Sequence, residues 1–276
     1  MAQLLDSREL QLRIVSAVAL GSLAIICLWY HQASFAGLIA VLSSIMAWEW
    51  GRAVRGVEFD LWLLIHGLTI GVAILAAVLS FTWLPFVALI LGSVVILSLV
   101  PKSARLMSAA GVFYIGLPAV LATWLRQDES GGALAILFVL VVVAAHDTFA
   151  MVTGKLFGGP RLWPALSPNK TWSGVVGGLV ASLVAGCSFG IVMSGAANAT
   201  WLAGLGLLLG LAGLIGDLAE SAFKRRYEIR HASGVVPGHG GILDRLDGLV
   251  TAITLAAIIG YAVNADAPGR ALLFFQ

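Results

Sequence analysis

The chain has 276 residues, of which 60% are hydrophobic and only 11% charged, with 16 basic and 14 acidic side chains for a net charge of +2. A soluble domain carries about 25% charge, so this chain could not cover its own surface as a soluble globule. Its 32 glycines follow no G-X-Y period, which excludes collagen and low-complexity disorder and points to a polytopic helical membrane protein whose helices approach closely at glycine.

Crossing a hydrocarbon core of about 30 Å takes roughly 20 apolar residues. In chain order the apolar runs are 12–30, 34–50, 61–82, 84–100, 106–125, 133–155, 173–195, 201–222 and 243–263. The fold class expected is therefore all-α, an integral membrane bundle of about nine transmembrane helices. Continuously apolar stretches such as 133–145 exclude a β-barrel, which needs short alternating segments. The first run is too long for a signal-peptide core and follows Asp6, Arg8, Glu9 and Arg13, so it reads as a retained span. Cys27 and Cys187 lie inside apolar runs and read as inert thiols.

Lys and Arg stay on the cytoplasmic side of a membrane. Nine spans with a cytoplasmic N-terminus place 14 of the 16 basic residues inside, leaving only Arg126 and Arg270 outside. Residues 1–130 then form an N-terminal scaffold with a lipid groove. Residues 131–276 form a catalytic region with cytoplasmic loops at 156–172 and 223–243.

An ionisable side chain within a span is costly and usually marks a site. Asp147, Asp217, Glu220, Asp244 and Asp247 lie within apolar runs or just inside their ends, with Glu49 a marginal sixth. At 1.5 Å per residue, Asp147 is roughly 20 Å and Asp217 about 24 Å along spans entering from outside. Asp244 and Asp247 open a span that starts in the cytoplasm, so all five converge on one depth. Asp217 and Glu220 are spaced i,i+3, as are Asp244 and Asp247, so each pair shares a helix face. Clustered carboxylates call for a cation between them, and Mg²⁺ keeps substrate phosphates among its ligands. The alternative is an acid–base network with Arg245 and Lys224 as partners.

The loops at that depth supply positive charge. One runs from Phe157 to Trp172 with Arg161 and Lys170, and the other holds Lys224, Arg225, Arg226 and the run Gly238-His239-Gly240-Gly241. Gly-rich turns let backbone amides approach an anion, and Lys and Arg neutralise phosphate. Metal and basic groups around phosphate suit phosphoryl or nucleotidyl transfer. The residues alone thus describe an intramembrane phosphotransfer enzyme acting on a lipid from the cytosolic side.

The stretch Ser221-Ala-Phe-Lys-Arg225, followed after a gap by Ala232-Ser-Gly-Val-Val-Pro-Gly-His-Gly-Gly-Ile-Leu-Asp-Arg-Leu-Asp247, resembles the signature of the phosphatidate cytidylyltransferases, or CDP-diacylglycerol synthases. Gly216-Asp217-x-x-Glu220, the loop Ser167-Pro-Asn-Lys-Thr-Trp-Ser-Gly174 and the buried-run Asp147 match as well, so the resemblance covers roughly residues 144–250. It implies transfer of a cytidylyl group from CTP to phosphatidate within the bilayer, with no nucleic-acid partner. It further implies a pair of Mg²⁺ sites held by Asp217, Asp244 and Asp247 with Glu220 beside them, a monovalent cation remaining open. Lys224 would act with these acids in catalysis. Lys170, Ser221, Arg225, His239, Gly240 and Arg245 would bind substrate, and Asp147 and His231 are further candidates. The absence of a targeting segment fits a bacterial inner membrane.

One departure stands out. Where the resemblance implies a Lys-Asp pair, this chain has Arg230-His231, which would remove a carboxylate near the expected metals. Two other functions compete: a nucleotidyltransferase for another lipid phosphate, and a cation or lipid transporter, whose site would lie nearer the midplane between inverted repeats. Gly186-x-x-x-Gly190 and Gly206-x-x-x-Gly210 allow tight helix contact within the fold or across a homodimer. His31 and His66 read as interfacial, and His146 as a packed hydrogen-bonding partner.

Overall fold

The structure is a computed structural model and describes residues 7–194, 198–235 and 240–275; His239 lies outside the described residues. Ten helices and one hairpin make up those residues: α1 (Ser7–Tyr30), α2 (Gln32–Arg55), α3 (Leu61–Val78), α4 (Leu84–Leu99), α5 (Arg105–Gln127), α6 (Gly132–Phe157), β1 (Arg161–Trp163), β2 (Ser167–Thr171), α7 (Trp172–Ser194), α8 (Ala199–Arg226), α9 (Leu243–Val263) and α10 (Pro268–Phe274). The all-α membrane class is what the apolar runs predict. Among the described residues seven helices are long and apolar enough to cross a membrane: α2, α3 and α5 to α9. The apolar helix α4 (Leu84–Leu99) is shorter; with 16 residues it reaches only about 24 Å. The hairpin and α10 are not foreseen from the sequence.

The chain divides into two compact units, residues 1–124 with 227–246 and residues 125–226 with 247–276. In the first, Ala73 and Ala77 of α3, Leu89 and Ile96 of α4, and Val112 and Val120 of α5 share one apolar core. Helix α2 ends at Gly56, whose φ of +72° gives a left-handed cap. The turn that follows is locked by Arg55, which pairs with Asp60 at 2.6 Å, while Asp60 Oδ1 accepts the Leu63 amide at 2.7 Å and caps α3. His31 caps α2 by accepting the Ala33 amide at 3.1 Å. His66 is fully buried within the protein.

The second unit is built on close helix crossings. A Cβ on Gly186 would strike the Leu202 carbonyl, one on Gly190 would come within 2.7 Å of Ala199 Cα, and one on Gly206 within 3.2 Å of Gly186 Cα. Both small-residue stripes are thus used against each other, in the α7–α8 contact within one chain. His146 of α6, 4% exposed, meets Ser182 of α7 through Nδ1 at 3.2 Å, the packing role expected of it.

Candidate active site

Helix α8 carries Asp217 and Glu220 well inside its 28 residues, so their i,i+3 spacing does place them on one face. Gly216 explains why α9 arrives beside them. A Cβ there would strike the Asp247 carbonyl and the Thr251 hydroxyl. Only hydrogen leaves room for the α9 backbone, and Thr251 fastens the crossing by donating to the Ala212 carbonyl at 2.8 Å. As a result Asp217, Glu220 and Asp247 each offer a carboxyl oxygen within 4.8 Å of the others. Glu220 is 2% exposed, and the other two are half-buried.

Two ammonium groups meet this cluster. Lys224, one turn beyond Glu220 on α8, places Nζ 2.5 Å from Glu220 Oε2. Lys170 comes from β2 and places Nζ 2.5 Å from Asp217 Oδ2. Several contacts hold the strand in place for this. β1 and β2 pair antiparallel, Arg161 opposite Thr171 and Trp163 opposite Ser167. Arg161 donates to the Asn169 carbonyl at 3.0 Å, and Arg225 donates through Nε to the Leu166 carbonyl at 3.3 Å. Thr171 accepts the Gly174 amide at 3.1 Å and caps α7. Ser173 donates to the Gly158 carbonyl, in a turn where Gly158 and Gly159 have φ of +60° and +99°, a region that favours glycine. Arg225 therefore contacts the hairpin backbone, and Thr171 and Ser173, which belong to the 167–174 loop but carry no role in the sequence reading, tie the hairpin to the start of α7.

Asp244 has a different setting. It stands in the first turn of α9, and its Oδ2 accepts the backbone amides of Ala232 and Gly241, both at 3.1 Å. His231 Nδ1 lies 3.6 Å from the same oxygen, so the residue that departs from the expected Lys-Asp pair stands next to this acceptor. Among the described residues Asp244 is not a member of the three-carboxyl group, nor is the exposed Asp147 of α6. Ser221 is half-buried on α8, Arg245 is exposed on α9, and Gly240 is half-buried with φ +85° beside Asp244, where a Cβ would come within 3.0 Å of Oδ2.

The three-carboxyl group fits a hard divalent cation in donor type and spacing. The flanking lysines fit phosphate, and the three carboxyl groups lie on α8 and α9, two helices able to cross a membrane. The model of the cytidylyltransferase family matches residues 11–263. The chain belongs to that family. A phosphatidate cytidylyltransferase of Brucella abortus biovar 1 is 35% identical over 97% of this chain and 99% of its own length, and that of Brucella suis biovar 1 is the same by these measures. A phosphatidate cytidylyltransferase of Staphylococcus aureus is 37% identical over 54% of this chain and 56% of its own length. The family likeness thus extends well beyond residues 144–250 and takes in the N-terminal helices.

Proposed function

We propose that this member of the family is a phosphatidate cytidylyltransferase, which converts CTP and phosphatidate to CDP-diacylglycerol and pyrophosphate. The observation that carries the reading is the meeting of Asp217, Glu220 and Asp247 with the ammonium groups of Lys170 and Lys224. In this reading those three acids hold Mg²⁺, and Asp244 acts through the loop whose amides it accepts. Bound there, the metal would neutralise phosphate charge and polarise the phosphorus under attack.

The chain's own residues do the rest. A phosphatidate phosphate oxygen forms the new bond to the α-phosphorus of CTP. The bond from that phosphorus to its bridging oxygen breaks, and pyrophosphate leaves with the electron pair. The attacking oxygen is already anionic, so no general base is required of the protein. Lys170 and Lys224 exchange a carboxylate for a phosphate oxygen as substrates arrive, and hold the reacting groups in line. Glu220, nearly inaccessible to water, keeps Lys224 aimed along α8. The distribution of basic residues supports a site facing the cytoplasm in a nine-span topology with the N-terminus inside. The bacterial relatives are consistent with an inner membrane.

The test is turnover of CTP with phosphatidate by the purified protein, followed as CDP-diacylglycerol formed, with and without Mg²⁺. Asp247→Asn is expected to reduce kcat by at least about 10³-fold, or about 4 kcal/mol of transition-state stabilisation, while the protein stays folded. Metal-independent turnover, or an active Asp247→Asn enzyme, refutes the assignment. A panel of other lipid phosphates reads the substrate class directly.

A further inference from the structure

Glu49 stands two turns from the end of α2, in a helix otherwise expected to serve as scaffold. It is fully buried, and a buried carboxyl group must have partners or it is expelled. All of its described partners come from a segment 184 to 194 residues away in sequence. Its Oε1 accepts the Ser233 hydroxyl and the Ile242 amide at 2.9 Å, and its Oε2 accepts the Leu243 amide at 2.7 Å. Ile242 and Leu243 open α9, where amides lack partners within the helix and an acid is favoured by the helix dipole. Gly241 makes the approach feasible, since a Cβ there would lie 2.7 Å from Glu49 Oε1. One turn along α2, Arg52 donates to the Ala232 carbonyl at 3.2 Å.

Helix α2 therefore grips both ends of one loop. Ala232 and Ser233 are held at its start, and Ile242 and Leu243 at its end. Asp244 closes the same loop from inside through the Ala232 and Gly241 amides. Helix α9 is continuous from Leu243 to Val263, so the helix whose opening amides Glu49 caps is the one that carries Asp247.

We infer that Glu49 is a positioning residue for cytidylyl transfer, fixing Ser233 at one end and the start of α9 at the other without touching substrate. The inference rests on the proposed role of Asp247, and its test reads loop order apart from activity. Glu49→Gln keeps the shape but replaces one acceptor oxygen with an NH₂ donor that faces donors. Purified Glu49→Gln is expected to show amide exchange at 232–235 and 240–246 accelerated by about tenfold or more. Its kcat per folded molecule is expected to fall about tenfold, with the KM for CTP changed less than threefold and Glu49→Asp restoring part of kcat. A merely structural residue would lower the yield of folded enzyme and leave kcat unchanged. Should Glu49→Gln fail to fold, Ser233→Ala cuts one arm of the grip while leaving the α9 cap. It is expected to lower kcat about threefold with faster exchange at 232–235. Unchanged exchange, or kcat within twofold of wild type for Glu49→Gln (for Ser233→Ala if the first does not fold), overturns the inference. If the wild-type protein turns over no CTP, the assigned activity falls, and the exchange measurement still decides whether Glu49 holds the loop.

Discussion

Gly216→Ala offers the sharpest test of how the carboxyl cluster is built. The added methyl would lie closer than 3.0 Å to both the Asp247 carbonyl oxygen and the Thr251 hydroxyl, and 3.1 Å from the Asp247 carbonyl carbon. Backbone cannot rotate out of the way as a side-chain tip can, so α9 must move outward at the residue that carries a cluster acid. Overpacking of this kind costs typically 1–3 kcal/mol. Loss of the Thr251 bond to the Ala212 carbonyl adds about 0.5–1.5 kcal/mol, giving a total of roughly 2–4 kcal/mol. The catalytic effect is expected to be larger, since displacing a reacting group by about 1 Å costs on the order of 10²-fold. Gly213→Ala is the internal control, about one turn earlier on α8. There a Cβ would meet the Gly248 carbonyl oxygen at 3.6 Å, an ordinary contact, and removing a mid-helix glycine gains about 0.5–1 kcal/mol. Thermal unfolding in detergent and the rate of pyrophosphate release decide the matter. Gly216→Ala should lower both sharply, and Gly213→Ala should leave kcat within a few-fold and stability equal or higher. Wild-type kcat in Gly216→Ala, or equal damage from both variants, refutes the close-crossing argument.

Two further outcomes follow from the same unit of the fold. Lys170→Met removes the ammonium 2.5 Å from Asp217 and is expected to lower kcat/KM by about 10²-fold, equivalent to about 2.7 kcal/mol. Stability should move by less than about 1 kcal/mol, because the pair is partly solvated; unfolding curves and initial rates separate the two effects. Asp128 lies between α5 and α6, where burial would raise its carboxyl pKa. Hydrogen bonds from the Ser130 side chain and from the Arg270, Ser130 and Gly269 amides prevail and hold it below its ordinary value of 3.8. A depressed carboxyl stabilises the fold above its unfolded pKa and loses that contribution as pH falls through the folded one. Asp128→Asn should therefore lower the Tm by a few degrees at pH 7 and keep that deficit down to about pH 4, closing only below. A deficit already gone at pH 6 would contradict this.

The contrast between the two i,i+3 acid pairs shows what periodicity can and cannot read. Asp217 and Glu220 lie deep within α8, where helical geometry holds on both sides and a shared face follows from spacing alone. Asp244 and Asp247 have the same spacing, but their helix begins at Leu243. A carboxyl in a first turn has unpaired amides behind it, and Asp244 turns back to the Gly241 amide while Asp247 joins the cluster. The pattern is legible; the helix start, which decides the side chain's direction, is not. The hairpin escaped for a related reason. Its strands have three and five residues, the second containing Pro168, too short for an alternating pattern to emerge. What makes it a hairpin is pairing across a turn, with its two ends tied where Ser173 donates to the Gly158 carbonyl.

Glu49 marks the furthest reach of sequence reasoning. An acid within an apolar run is visible as an anomaly, yet every described partner that explains it lies at least 184 residues away. Low charge is itself informative in such a chain, because each charge kept in or near a span must be held by something. Asp217 is held by a strand lysine, Glu220 by the lysine one turn on, and Glu49 by the amides of a loop. His231 belongs to the same logic. It stands 3.6 Å from Asp244, where a second carboxylate would repel an acceptor already committed to two backbone amides. Substituting His for the family's expected Asp therefore acts first on the loop that Asp244 and Glu49 share.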